Sequence, residues 1–76
     1  MFYVYILKGT NNKLYKGSTK NLKERFLKHN SGKVRSTKAN KPWKLIYYEA
    51  FLSKSAARKE ELFLKTGKGR ERIEYL

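Results

Sequence analysis

The first eight residues alternate no polar position with an apolar one. From Phe2 to Lys8 the chain reads FYVYILK, rich in aromatic and β-branched residues, and this predicts a strand. Period-two geometry places Tyr3, Tyr5 and Leu7 on one face and Phe2, Val4 and Ile6 on the other. Gly9-Thr10-Asn11-Asn12 is turn chemistry, and Lys13 to Ser18 returns as a second strand, so the two form a hairpin with a short loop. If the hairpin pairs in register, Tyr5 and Tyr15 share a face; periodicity alone does not set that register.

The period then changes. Leu22 and Phe26 stand at i and i+4, with Asn21 before them as N-cap and Glu24 three residues later in the manner of a capping box. A helix of roughly three turns follows and stops at Asn30-Ser31-Gly32, where Gly32 supplies a left-handed cap. Residues 33–42 (KVRSTKANKP) hold Lys33, Arg35, Lys38 and Lys41 with almost nothing apolar, and read as a long loop. Trp43 to Phe51 is the next strand. Ser53 or Ser55 caps a second helix through Ala56, Ala57 and Leu62-Phe63-Leu64 to about Thr66, where Gly67 and Gly69 break it. Arg70 to Leu76 forms a short terminal helix with Ile73 and Leu76 inward. The order β-β-α-β-α(-α) predicts an α+β domain: a small three-stranded, mostly antiparallel sheet flanked by helices. At 76 residues the chain is one domain, residues 1–76, because halving it would leave pieces too small to bury a core.

Charge changes the picture most. Nineteen Lys and Arg face six acidic residues, a formal +13. Self-repulsion at that density opposes folding and points to a polyanionic partner, nucleic acid ahead of an anionic membrane or an acidic protein. The absence of cysteine removes disulfides and thiolate metal sites and makes a reducing compartment the expected home. The apolar start is far too short to span a bilayer and lacks a basic leader, so cytoplasmic localisation with no membrane partner is expected.

No Cys or His cluster, phosphate-binding glycine loop or Ser-His-Asp set is present. One histidine means that any metal rests largely on carboxylates, which suits Mg²⁺ or Mn²⁺ rather than zinc. Six tyrosines are many for this length, and Tyr3, Tyr47 and Tyr48 are expected to fill the sheet. On a helical wheel Ala56, Ala57, Phe63 and Leu64 define an apolar face centred on Glu60, with Glu61 at its edge.

Tyr3-Val4-Tyr5, Leu14-Tyr15-Lys16-Gly17 and the run Asn21-Leu22-Lys23-Glu24-Arg25-Phe26-Leu27-Lys28-His29-Asn30 together resemble the GIY-YIG nuclease signature. Ser36-Thr37-Lys38, Lys44 to Ala50 and Glu61 to Gly67 extend the likeness to the small single-domain bacterial members. Tyr3 stands where the first glycine would be, Val4 and Lys16 replace isoleucines, and no asparagine follows Glu61. The resemblance implies a metal-dependent endonuclease using one Mg²⁺ or Mn²⁺, with DNA favoured over RNA and a role in repair, recombination or processing. By position, Tyr15 would act as general base or orient the attacking water, and Tyr5 would hold the nucleophile or a phosphate oxygen. Arg25 would bind the scissile phosphate, His29 would contact the water or the phosphate, and Glu61 would hold the metal. Gly17 would let the backbone pass close to the site. Lys16 would add a phosphate contact or snorkel to the open face, and Lys33, Arg35, Lys38 and Lys41 would hold nucleic acid. Helix periodicity favours Glu60 as the inward carboxylate and family spacing favours Glu61. A non-catalytic, basic nucleic-acid-binding module of the same fold is the rival reading, a protein partner is a further option, and oligomeric state is open.

Overall fold

A computed structural model describes residues 1–75 in the order β1 (Phe2–Lys8), β2 (Leu14–Thr19), α1 (Leu22–Asn30), β3 (Lys44–Phe51), α2 (Lys54–Leu64) and α3 (Gly67–Ile73). The strands pair antiparallel in the order β2-β1-β3, the α+β architecture the pattern predicts. The expected inward side chain of Leu76 lies outside the described residues.

FYVYILK is apolar at nearly every position because β1 is the central strand and both of its faces are covered. Val4, Tyr5, Ile6 and Leu7 are each at most 1% exposed. Val4 and Ile6 pack with Ala57 and Leu64 of α2, joined by Phe2, Tyr47, Phe51 and Ile73. Tyr5 and Leu7 pack on the other side with Trp43, Tyr15, and Leu22 and Phe26 of α1. Burying each large apolar side chain contributes about 1.5–3 kcal/mol, so a domain this small depends on filling both layers.

Local chemistry sets the hairpin and the helix ends. Asn11 and Asn12 both take φ 58° in the turn, a left-handed conformation that asparagine tolerates. The Gly9 N–H donates to the Lys13 carbonyl at 2.8 Å and closes the loop. Pairing then sets Tyr5 against Gly17 and Leu7 against Tyr15, so the two tyrosines are diagonal neighbours on one face. Asn21 caps α1 by accepting from the Glu24 N–H at 3.1 Å, and Gly32 follows the helix at φ +79°. Ser53, rather than Ser55, caps α2 by accepting from the Ala56 N–H.

Three expectations need correction. Residues 33–42 are not an open basic loop throughout: Thr37 is fully buried, and Lys38–Asn40 form a 3₁₀ turn. Trp43 precedes the third strand instead of opening it. Its indole N–H donates to the Thr37 carbonyl at 2.8 Å, and Asn30 grips its backbone N–H and carbonyl. Last, Gly67 and Gly69 do not end α2. Lys65 and Thr66 do, and both glycines lie inside α3, which Thr66 caps through the Gly69 N–H.

The two glycines differ in surroundings. A Cβ at Gly69 would overlap the Phe63 carbonyl oxygen and crowd the Leu64 Cα at 2.6 Å, whereas at Gly67 nothing lies within 4 Å. Gly69→Ala should therefore cost about 1–3 kcal/mol, because backbone must shift. Gly67→Ala should be neutral or stabilising by up to about 1 kcal/mol. Thermal unfolding of both variants checks this; equal midpoints would show that α2 and α3 do not meet at Gly69.

Candidate active site

The site is built around a missing side chain. Gly17 lies on edge strand β2 opposite Tyr5 of the central strand. A Cβ there would fall 2.6 Å from the Tyr5 hydroxyl oxygen, 2.8 Å from its Cζ and 3.1 Å from the Tyr15 ring. The Tyr5 side chain thus reaches across from β1 and occupies the space above Gly17, which carries its hydroxyl to the edge of the sheet. Tyr15 closes beside it, with ring centroids 6.2 Å apart.

His29 lies beneath this pair, fully buried on the last turn of α1. Its Nε2 is 2.9 Å from the Tyr5 hydroxyl and its Nδ1 is 2.8 Å from the Thr37 hydroxyl. The Thr37 hydroxyl donates to the Val34 carbonyl, so it accepts from His29 Nδ1–H. Nε2 is then the acceptor, and Tyr5 is the donor to it. One direction of hydrogen bonding therefore runs from Tyr5 through His29 and Thr37 to the backbone. Among the described residues no buried side-chain nitrogen or oxygen lacks a partner. Burial, and secondly the charge on Arg25, push the His29 pKa down, which keeps the imidazole neutral at pH 7. The expectation that His29 meets water or phosphate directly is corrected by this geometry: both nitrogens are engaged and the ring is enclosed, so its contact with the cluster is through the Tyr5 hydroxyl.

Arg25 comes one turn before His29 on the same helix. Tyr5 beside its guanidinium is the largest influence on it and raises its pKa, and Tyr15 adds to this. The Tyr5 phenol is pushed up to about 12, chiefly by burial, with Arg25 opposing. At neutral pH the cluster therefore holds one fixed cation beside a protonated phenol.

Glu61 approaches the same edge from the other side of the sheet. Ser18, next to Gly17 and paired with Val4, faces α2, and its hydroxyl donates to Glu61 Oε1 at 2.7 Å. Lys65 reaches Oε2 at 2.9 Å and Arg58 reaches Oε1 at 3.2 Å. Burial alone would raise the Glu61 carboxyl pKa. The hydrogen bonds from Ser18 and Lys65, with the charges of Lys65 and Arg58, outweigh it and hold the group below the usual range. Its negative charge is one of the influences that raise the Tyr5 pKa, so the two faces share one electrostatic neighbourhood at the β2 edge. Glu60, the wheel's choice, instead pairs with Arg72 of α3 at 2.9 Å and is the more exposed of the two.

The sequence-predicted residues thus divide. Tyr5, Tyr15, Arg25, His29 and Gly17 gather on the α1 face. Lys16, opposite Ile6, points with Ser18 to the Glu61 face, where burial, then Arg70 and Lys65, lower its pKa. Lys33, Arg35, Lys38 and Lys41 are exposed and make no hydrogen bond or ion pair with the cluster. Thr37 and Ser18 were not singled out by the sequence. Thr37 sits in a polar loop with no periodicity to mark it, while strand alternation from Lys16 would have found Ser18.

The family model for the GIY-YIG catalytic domain matches residues 1–74. The UPF0213 protein SH2523 of Staphylococcus haemolyticus is 40% identical over 75 residues, covering 97% of this chain and 92% of that protein. A UPF0213 protein of Pediococcus acidilactici is 38% identical over 78 residues, covering 99% and 80%. The solution NMR structure of the UPF0213 protein BH0048 from Bacillus halodurans superposes with a TM-score of 0.59 at 34% identity, over 96% of this chain and 82% of that one. Sequence, fold and the match over nearly the whole chain agree: the protein belongs to the GIY-YIG nuclease family.

Proposed function

We propose that the chain is a metal-dependent endonuclease that hydrolyses phosphodiester bonds, with DNA its substrate ahead of RNA, in repair, recombination or processing. One observation carries this reading. Two consecutive edge-strand residues, Gly17 and Ser18, face opposite sides of the sheet and bring the Tyr5/Tyr15/Arg25 cluster and the Glu61 carboxylate to one edge. A cation, two phenols and an ionised carboxylate at a sheet edge suit an anionic substrate that is attacked by water.

The roles follow from the protonation states. Arg25 binds the scissile phosphate and meets the charge that develops on its oxygens. Tyr5, protonated and donating to His29, leaves its oxygen to Arg25 beside it and does not act as a base. Tyr15 is left to accept a hydrogen bond from the attacking water; as the new P–O bond forms that water's proton passes to solvent, and the leaving oxygen takes up a proton from solvent as its bond to phosphorus breaks. Lys16, Lys65 and Arg70 hold flanking phosphates on the Glu61 side.

Among the described residues no three His or carboxylate groups assemble, so the donor set suits a hard cation that keeps most of its waters. Glu61 fits that requirement. It is ionised and has the Ser18 oxygen beside it. Its cationic partners Arg58 and Lys65 have side chains 62% and 48% exposed, free to swing aside. Glu61 with Ser18 would hold Mg²⁺ or Mn²⁺, which when bound would help neutralise the phosphate and the leaving oxygen.

With Mg²⁺ or Mn²⁺ present, the purified protein should cleave DNA, and Glu61→Ala or Arg25→Ala should lower the rate by about a hundredfold or more. Glu60→Ala should stay near wild type. Undiminished cleavage by Glu61→Ala would sink the proposed metal role.

His29 adds a test by pH. Its folded pKa is depressed, so the unfolded chain binds the proton at higher pH than the folded one. Stability is complete above about pH 6.5 and falls as pH drops towards the folded value. The unfolding midpoint of wild type should decline as pH falls below about 6.5, and that of His29→Gln should change less. A wild-type midpoint that stays flat across this window would contradict a buried neutral imidazole.

A further inference from the structure

A second surface is shaped for nucleic acid, away from the Tyr5/Tyr15/Arg25 cluster. Between α1 and β3 lies an open cleft of about 560 Å³. Tyr3 and Tyr48 line it, in edge-to-face contact with centroids 6.2 Å apart. Leu22, Phe26 and Leu45 add apolar walls, and Lys20 and Lys23 stand at its border. Tyr48 was expected to fill the sheet. It is instead 55% exposed, on the same face as Tyr5, its partner across the strands. Tyr48 does not stand alone: exposed Leu45 lines the same cleft, so the two belong to a contiguous apolar patch rather than to scattered surface residues.

Charge selects that occupant. No acidic residue lines the cleft, and two lysines do. A second copy would bring another chain of formal charge +13 against this one. Strand addition at β3 is also hindered, because the pairing with β1 passes from Ile6↔Tyr47 to Leu7↔Leu45 and leaves Ile46 as a bulge. What remains is a polyanion with flat apolar groups, which is an unpaired stretch of nucleic acid: bases present π-faces to aromatic side chains while phosphates meet lysines.

The cleft also connects to the candidate active site. On the α1 wheel, Leu22, Phe26 and His29 form the inward stripe, and Lys23 and Arg25 flank it on opposite sides. The helix therefore separates the Tyr48 cleft from the Arg25 cluster, and a strand must pass around its N-terminus. Lys20 stands there. It lines the cleft and also a larger cavity of about 900 Å³ that includes Ser18, the hydrogen-bond partner of Glu61, and Arg58. Lys20 thus borders both the aromatic cleft and the cavity that reaches Ser18, and Lys54 and Arg58 add cationic lining on that second side.

We propose that the Tyr3–Tyr48 cleft is a base-stacking subsite for single-stranded DNA, which engages an unpaired base and leads its strand past Lys20 towards Glu61. The inference rests on the nuclease reading for its direction and stands on its own as a binding site. It makes the preferred substrate one with an unpaired segment, such as a flap, gap or end.

Binding of fluorescently labelled oligo-dT and of a blunt duplex is measured by anisotropy in EDTA, on a Glu61→Ala background, so that cleavage plays no part. Tyr48→Ala should weaken oligo-dT binding on the order of tenfold, Tyr48→Phe should retain it, and duplex affinity should change little. The exposed position of Tyr48 makes the fold tolerant of these changes, and circular dichroism verifies it. Equal oligo-dT affinity in Tyr48→Ala and its parent would overturn the proposal, as would an equal loss for duplex. A dimer in solution that Tyr48→Ala dissolves would assign the cleft to a second copy and overturn it too. Failure of the nuclease reading shows separately, as wild type that binds oligo-dT through Tyr48 and does not cleave it.

Discussion

Close approach at Gly17 is the constraint on which the site depends. β1 is central and buried on both faces, so any functional group it carries is enclosed unless it can reach past a neighbouring strand. Tyr5 does so because the residue opposite it has no side chain. Its hydroxyl lies over the edge strand β2 at Gly17, while the whole side chain stays enclosed at 1% exposure. Fixing the hydroxyl then falls to His29, and fixing His29 to Thr37, so residues from β1, α1 and the 33–42 segment stand in one directional chain of hydrogen bonds. A polar network inside a small core is worth having only when every member is satisfied, and this one is.

The second organising fact is electrostatic. Six carboxylates must serve a chain with nineteen basic residues. Among the described residues Glu61 is the one carboxylate buried at the β2 edge, and Ser18, Lys65 and Arg58 keep it ionised. Lys16 is crowded by Lys65 and Arg70 on the same face. Such an arrangement repels itself in isolation and is relieved by polyanion binding, so the electrostatics that burden folding favour substrate. Exposed pairs such as Lys28–Glu24 contribute little by comparison.

Much of this was legible in residue pattern. The two-faced apolar run of β1, the Asn21 cap and the Gly32 stop all rest on local chemistry, and local chemistry held. Tyr5 and Tyr15 were conditional on register, a non-local property, and the structure supplied it. The helical wheel misled at Glu60 because α2 is shared between two partners: one flank packs on the sheet edge and the other meets α3, where Arg72 takes Glu60. Gly67 and Gly69 read as breakers because helix propensity ignores close packing, and Gly69 is needed where α3 touches the end of α2. Thr37 entered only through the likeness of Ser36-Thr37-Lys38, and nothing in the pattern marked it as buried, since its burial follows from Trp43 and His29, distant in sequence from one another. Tyr48 could not be told from core tyrosines without knowing that α1 leaves the β3 side of the sheet open.

The central claim is that an absent side chain at Gly17 creates the site. Gly17→Ala probes this, with DNA cleavage measured beside amide and imidazole-nitrogen NMR spectra of the same sample. Sheet resonances should remain folded, the His29 ring nitrogens should shift as Tyr5 withdraws, and cleavage should fall by about a hundredfold. Wild-type cleavage from a folded Gly17→Ala protein with unmoved His29 signals would contradict it.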